Sequence, residues 1–96
     1  MNKSPTTFLP GTTQTVSVAG SSAATSNAFD AQTREVRVVT TVDSYVDIGS
    51  SPTAASTSLI IPAYTVEYFK VPSGSKIAFL RVGSTTGTAR ITELSQ

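Results

Sequence analysis

Hydrophobic positions in this chain recur at every second residue, and no segment shows a helical period, which predicts strands throughout. The clearest run spans residues 34–42, where Val36, Val38 and Val42 share one face and Glu35, Arg37 and Thr41 take the other. A two-residue break, Asp43-Ser44, separates it from 45–48, with Val46 and Ile48 facing inward. So short a connection between alternating runs predicts a β-hairpin. Earlier, 13–18 alternates around Val16 and Val18. Later, 57–61 forms a short strand stopped by Pro62, which cannot donate a ladder hydrogen bond. Residues 64–71 and 76–82 carry apolar side chains on both faces. For 64–71 this predicts a central or bulged strand; 88–94 supplies the last strand. The expected fold is all-β, a small antiparallel β-sandwich or barrel of about seven strands.

Between these runs the chain is polar. Residues 20–27, rich in Ser and Ala, read as a mobile loop, and 49–56 as a second loop. Pro72-Ser73-Gly74 and the glycines of 83–87 predict turns. At the start, Pro5 and Pro10-Gly11 oppose regular structure, and Phe8-Leu9 is an isolated apolar pair. Residues 1–12 are therefore expected to be an extended N-terminal arm and 13–96 the folded domain, with Phe8 and Leu9 covering either their own core or a neighbour.

Composition narrows the function classes. With no cysteine and no histidine among 96 residues, disulfides, thiolate zinc sites, thiol catalysis and imidazole acid–base chemistry are all removed. A domain of this size buries a limited share of its surface, and oligomerisation or docking onto a larger body is the remaining source of added stability. Ser and Thr make 30 residues against 13 charged ones, so the surface is solubilised by hydroxyls, with little charge to oppose pairing with other β-surfaces. A net charge of +1 gives no reason to expect nucleic acid or anionic lipid as a partner. The polar start carries no signal-peptide pattern, and no apolar run approaches the roughly 20 residues of a membrane span.

Three patterns invite a chemical reading. Ser73-Gly74-Ser75-Lys76 has the S-x-x-K spacing of penicillin-recognising enzymes, but that motif opens a helix and needs partners elsewhere, whereas here it enters a strand. Asp43 and Asp47 could share a cation, yet calcium wants about six to eight oxygens and no third carboxylate is near in sequence. Tyr64, Tyr68, Phe69 and Lys70 superficially match a base-stacking sheet, without the positive groove that such sheets use. Core packing for Phe69 and rim positions for the tyrosines fit better. No catalytic residue, cofactor-binding residue or metal ligand is nominated, and the expectation is a non-enzyme.

The order of motifs adds a resemblance. Thr6-Thr7-Phe8-Leu9-Pro10-Gly11-Thr12-Thr13-Gln14, then Val36-Arg37-Val38, Tyr45-Val46-Asp47-Ile48-Gly49, Ile60-Ile61-Pro62-Ala63, Val66-Glu67-Tyr68-Phe69, Ile77-Ala78-Phe79 and Ala89-Arg90-Ile91-Thr92 together resemble small β-rich structural proteins of tailed-bacteriophage virions. The resemblance covers nearly the whole chain but contains no active-site signature. It implies a virion protein, most simply a capsid decoration (cement) protein. With the size argument above, the expectation is a homo-oligomer made in the host cytoplasm and docked on the major capsid protein or other virion proteins. A head–tail or tail component is the alternative, and a host-surface or glycan-binding module or a single-stranded nucleic-acid binder is a rival. No membrane and no small-molecule substrate is expected. Partner binding is assigned to Phe8, Leu9, Tyr64 and Tyr68. Tyr64 and Thr65 stand where the resemblance implies a small residue or glycine, so that turn is expected to be built differently.

Overall fold

The computed structural model describes residues 9–95, and every regular element in that span is a strand. There are eight: β1 (Leu9–Val18), β2 (Ala23–Ala24), β3 (Glu35–Thr40), β4 (Ser44–Gly49), β5 (Leu59–Ile61), β6 (Glu67–Lys70), β7 (Lys76–Arg81) and β8 (Gly87–Ser95). They form two four-stranded antiparallel sheets, ordered β1-β8-β3-β6 and β2-β7-β4-β5. The pairing is nested: first with eighth, second with seventh, third with sixth, fourth with fifth. Lateral pairing of β3 with β8 and of β4 with β7 completes each sheet. A single antiparallel ribbon wrapped onto itself in this way is the jelly-roll arrangement, a two-sheet sandwich.

Alternation fills the space between the sheets. Val16, Val18, Val36, Val38, Ala89 and Ile91 come from the first sheet, and Val46, Ile61, Ile77 and Phe79 from the second. Phe79, Ile77 and Ile91 are fully enclosed, each contributing about 1.5–3 kcal/mol by burial. Thr40 and Ser44 are enclosed as well, and the inward parity runs unbroken from Val36 through Thr40 and Ser44 to Val46.

That unbroken parity explains a correction. The predicted hairpin across Asp43-Ser44 does not form, because β3 and β4 belong to different sheets. The chain bends from one sheet to the other while keeping the same side chains inside, as strands do at a sandwich corner. The Ser44 hydroxyl donates to the Val42 carbonyl (2.8 Å) and the Val82 N–H donates to the Asp43 carbonyl (3.0 Å), fixing the corner.

Other boundaries shift for physical reasons. The first strand starts at Leu9 instead of Thr13, with Leu9 opposite Ser95 and a register shift between Pro10 and Thr13. β1 is an edge strand, where proline removes no needed donor, and the irregularity absorbs Pro10-Gly11. Residues 1–8, including Phe8, lie outside the described residues. The 20–27 stretch, read as a loop, contains β2, paired with Phe79 and Ala78 of β7. It is tied down further by Thr25, whose N–H donates to the Ile77 carbonyl (2.9 Å), and by a reciprocal pair between the Gln14 side chain and the Asn27 backbone (3.1 Å each). The strand within 64–71 is neither central nor bulged. β6 is the free edge of the first sheet in continuous register with β3, so its outward apolar residues stay in solvent. β7 does lie inside its sheet, and its outward Ala78 is buried. The 53–54 backbone reaches this face: Thr53 N–H donates to the Asp47 carboxylate (3.1 Å), beside Ala78, and Ala54 N–H donates to the Ser22 hydroxyl (2.8 Å).

Candidate docking surface

Large apolar side chains concentrate in solvent along one segment. Leu59 (58% exposed) and Ile60 (52%) lie on β5, the edge of the second sheet, and Tyr68 (51%) on β6, the edge of the first. Tyr64 (75%) and Val66 occupy the connection between them. No charged residue occurs between Asp47 and Glu67. Natural edge strands are usually guarded by charge, proline or a bulge. Here Pro62 is the guard that follows β5, and Glu67 and Lys70 are the charges on β6.

The connection is held rigidly. Ala63 N–H donates to the Asp43 carboxylate (2.8 Å) and Tyr64 N–H donates to the Thr40 carbonyl (2.7 Å), so the turn hangs from the end of β3. Tyr64 sits at φ 57°, in the left-handed region that costs an L-residue roughly 1–2 kcal/mol and that glycine adopts freely. The position expected to hold a small residue or glycine therefore has a glycine-like backbone and an aromatic side chain standing in solvent. Strain of this kind is found where a site needs a side chain held in place.

Behind Tyr64 the outer face of the first sheet is concave. Arg37, Val39, Thr41, Tyr64, Thr88 and Arg90 line an open depression of about 510 Å³. Their placement follows from alternation: Val36, Val38, Ala89 and Ile91 point inward, so Arg37, Val39, Thr88 and Arg90 point outward. Tyr68 lies opposite Arg37 across the β3–β6 pair, and Glu35 opposite Lys70. Thr41 receives the Thr88 N–H on its hydroxyl (2.9 Å), which leaves the hydroxyl proton free to donate.

Of the residues nominated for partner binding, Tyr64 and Tyr68 are both exposed on this side of the molecule. Leu9 is not brought near them, since β1 and β6 are opposite edges of the first sheet, and Phe8 lies outside the described residues. Phe69 packs half-buried against the core, as expected. Asp43 and Asp47 do not share a site. They lie four residues apart along extended chain, about 13 Å, and each accepts a different loop N–H. Among the described residues no group of three His, Cys, Asp or Glu could hold a metal ion. The Ser75 hydroxyl donates to the Pro72 carbonyl (2.6 Å) within a turn that carries Gly74 at φ 77°, and Lys76 begins β7.

A second polar depression escaped the sequence reading. Gly11, Thr12, Asp30, Gln32, Thr33, Glu93 and Leu94 line about 250 Å³ beside β8. Its buried carboxylate, Glu93, accepts the Asp30 N–H (2.9 Å) and the Thr33 hydroxyl (2.5 Å), pinning the segment before β3. The available signal was parity: Glu93 falls on the inward set with Ala89 and Ile91.

No family model matches this chain, and no curated protein does. Among solved structures it is similar to the cupin domain of Schizosaccharomyces pombe Cnp3, at 11% identity over 93% of this chain and 60% of that one, TM-score 0.49. It is also similar to the FeII form of HppE in complex with substrate, at 13% identity over 100% of this chain and 56% of that one, TM-score 0.45. The chain thus spans under two thirds of either structure, and at these scores neither carries an argument about what it does.

Proposed function

We propose that this chain is a non-enzymatic structural protein that docks through its β-surface onto a larger assembly, a capsid decoration protein of a tailed-bacteriophage virion. The observation that carries the docking reading is the exposure of Leu59, Ile60, Tyr64, Val66 and Tyr68 along two edge strands and the connection between them, most of it in a stretch without charge. A monomer that keeps such a strip in water gains by covering it, at roughly 25 cal/mol per Å² of apolar surface. Edge strands additionally offer unpaired backbone groups to a partner strand. The virion assignment rests on the sequence resemblance. Jelly rolls serve capsids, lectins and cupins alike, so the fold by itself favours none of these.

The reading is tested by quantitative mass spectrometry of particles assembled with the chain and by rebinding of purified protein to stripped shells. Copies in proportion to the major capsid protein, restored on rebinding, are expected. A few copies per particle would move the protein to the head–tail junction or tail. Absence from particles, together with saturable binding to a saccharide, would replace the reading with the glycan-binding one.

A further inference from the structure

The depression behind Tyr64 has a chemistry of its own. Arg37 and Arg90 lie on adjacent strands, both pointing out of the first sheet and both lining the same concavity. The register pairs Arg37 with Thr92 and Val39 with Arg90, making the two arginines diagonal neighbours; such positions are about 7–8 Å apart. The residues that complete this quartet, Val39 and Thr92, carry no charge. The carboxylate on the same face, Glu35, stands across from Lys70. Two like charges side by side on one face oppose folding slightly, and an incoming anion turns that cost into attraction. Guanidinium groups grip carboxylates through paired hydrogen bonds, the free Thr41 hydroxyl proton adds a donor, and the Tyr64 ring walls one side of the depression.

We infer that Arg37 and Arg90, with Tyr64 beside them, form a docking site for an acidic segment of a partner protein. The site takes carboxylate side chains presented next to the Tyr64 and Tyr68 rings. This inference rests on the docking reading above and names the charge of the partner. A nucleic-acid strand fits less well. Binding along a phosphate backbone needs cations in a track. Here Arg37, Arg90 and Lys70 face outward, Lys70 lies opposite Glu35, and the whole chain is only +1.

The test is amide and arginine side-chain NMR of the isotope-labelled chain. It is titrated with a short capped peptide alternating Glu and Thr, with the Gln counterpart, and with oligothymidylate. The Glu peptide should shift resonances of Arg37, Val39, Tyr64, Tyr68, Thr88 and Arg90. Binding should weaken with salt, and the Gln peptide should do little. Arg37→Ser with Arg90→Ser should weaken binding roughly tenfold or more without lowering the melting temperature, since both side chains are exposed. Arg37→Lys with Arg90→Lys should retain part of it. No response to the Glu peptide, an equal response to the Gln peptide, or shifts centred elsewhere would overturn the inference, as would tighter binding of oligothymidylate at these residues. Rebinding to stripped shells separates the two readings. If wild-type protein docks and the double serine variant docks equally, this inference alone fails. If wild-type protein does not dock, the functional reading fails whatever the peptide does.

Discussion

Replacing Tyr64 by glycine should stabilise the protein relative to replacing it by alanine, although glycine is normally the more destabilising of the two. The backbone at Tyr64 is at φ 57°, and the side chain is 75% exposed, so truncation to either residue removes little buried surface. The bond from its N–H to the Thr40 carbonyl involves backbone alone and survives both changes. What differs is conformational energy. Alanine retains the left-handed penalty of roughly 1–2 kcal/mol, and glycine loses about 0.4–1 kcal/mol through its freer unfolded chain. The balance favours Tyr64→Gly over Tyr64→Ala by up to about 1.6 kcal/mol, and each kcal/mol in a domain of this size is about 4–8 °C in Tm. Calorimetric melting of the two variants under identical conditions measures it. Both should bind stripped shells more weakly than wild type, because both lack the exposed ring. A Tyr64→Ala variant that melts higher than Tyr64→Gly would mean that this backbone is not left-handed, and the argument that the turn is strained to hold the ring would fall.

Glu93→Leu should cost about 2–5 kcal/mol, since it strands the Asp30 N–H and the Thr33 hydroxyl in a buried site; Glu93→Gln, which keeps an acceptor, should cost less than half as much in urea titrations. Gly87→Ala should destabilise by about 1–3 kcal/mol, because a Cβ there would come within 2.5 Å of the Thr41 hydroxyl and 2.8 Å of the Val42 methyls. Gly49→Ala, with open space around the added carbon, should be neutral or mildly stabilising in the same assay. Val38→Asp should abolish cooperative unfolding by circular dichroism, as an unpaired charge in a fully enclosed position is not tolerated, whereas Arg37→Ser should stay within about 0.5 kcal/mol of wild type.

Alternation was enough to read the fold class, because a buried face leaves a period-two mark wherever a strand is long. Val16, Val18, Val36, Val38 and Val46 are all enclosed as the pattern predicts. The corner at Asp43 was legible in parity. A two-residue hairpin turn would put Val42 and Tyr45 opposite each other on one face and reverse the inward set. The even-numbered set instead runs unbroken from Val36 to Val46, as in a strand crossing between sheets. β2 was invisible because two alanines in a Ser/Ala stretch show no period; their pairing with β7 exists only in three dimensions. The candidate docking surface is half legible in the sequence. Tyr64 and Tyr68 stand out as aromatics in a polar chain, but Arg37 and Arg90 lie 53 positions apart in sequence and meet only through the β3–β8 register.

The two outer faces of the sandwich differ in a way that bears on how the protein would sit on a partner. On the second sheet the 53–54 backbone is bonded to the Asp47 carboxylate, beside the buried Ala78, and to the Ser22 hydroxyl, so the chain's own loop is tied to part of that face. On the first sheet the outward rows are open: Thr13, Thr15 and Ser17 on β1, Thr88 and Arg90 on β8, Arg37 on β3 and Tyr68 on β6 are all exposed. Covering the first face costs no displacement of native contacts, and its hydroxyl rows can be desolvated against a polar partner at little penalty if each finds a hydrogen bond. The Thr13 and Thr92 hydroxyls already bond each other across β1 and β8 (3.0 Å), which shows how this surface satisfies itself laterally. A partner laid across the first sheet would thus gain its specificity at the arginine pair and Tyr64. The threonine rows toward β1 would contribute area without adding charge selectivity.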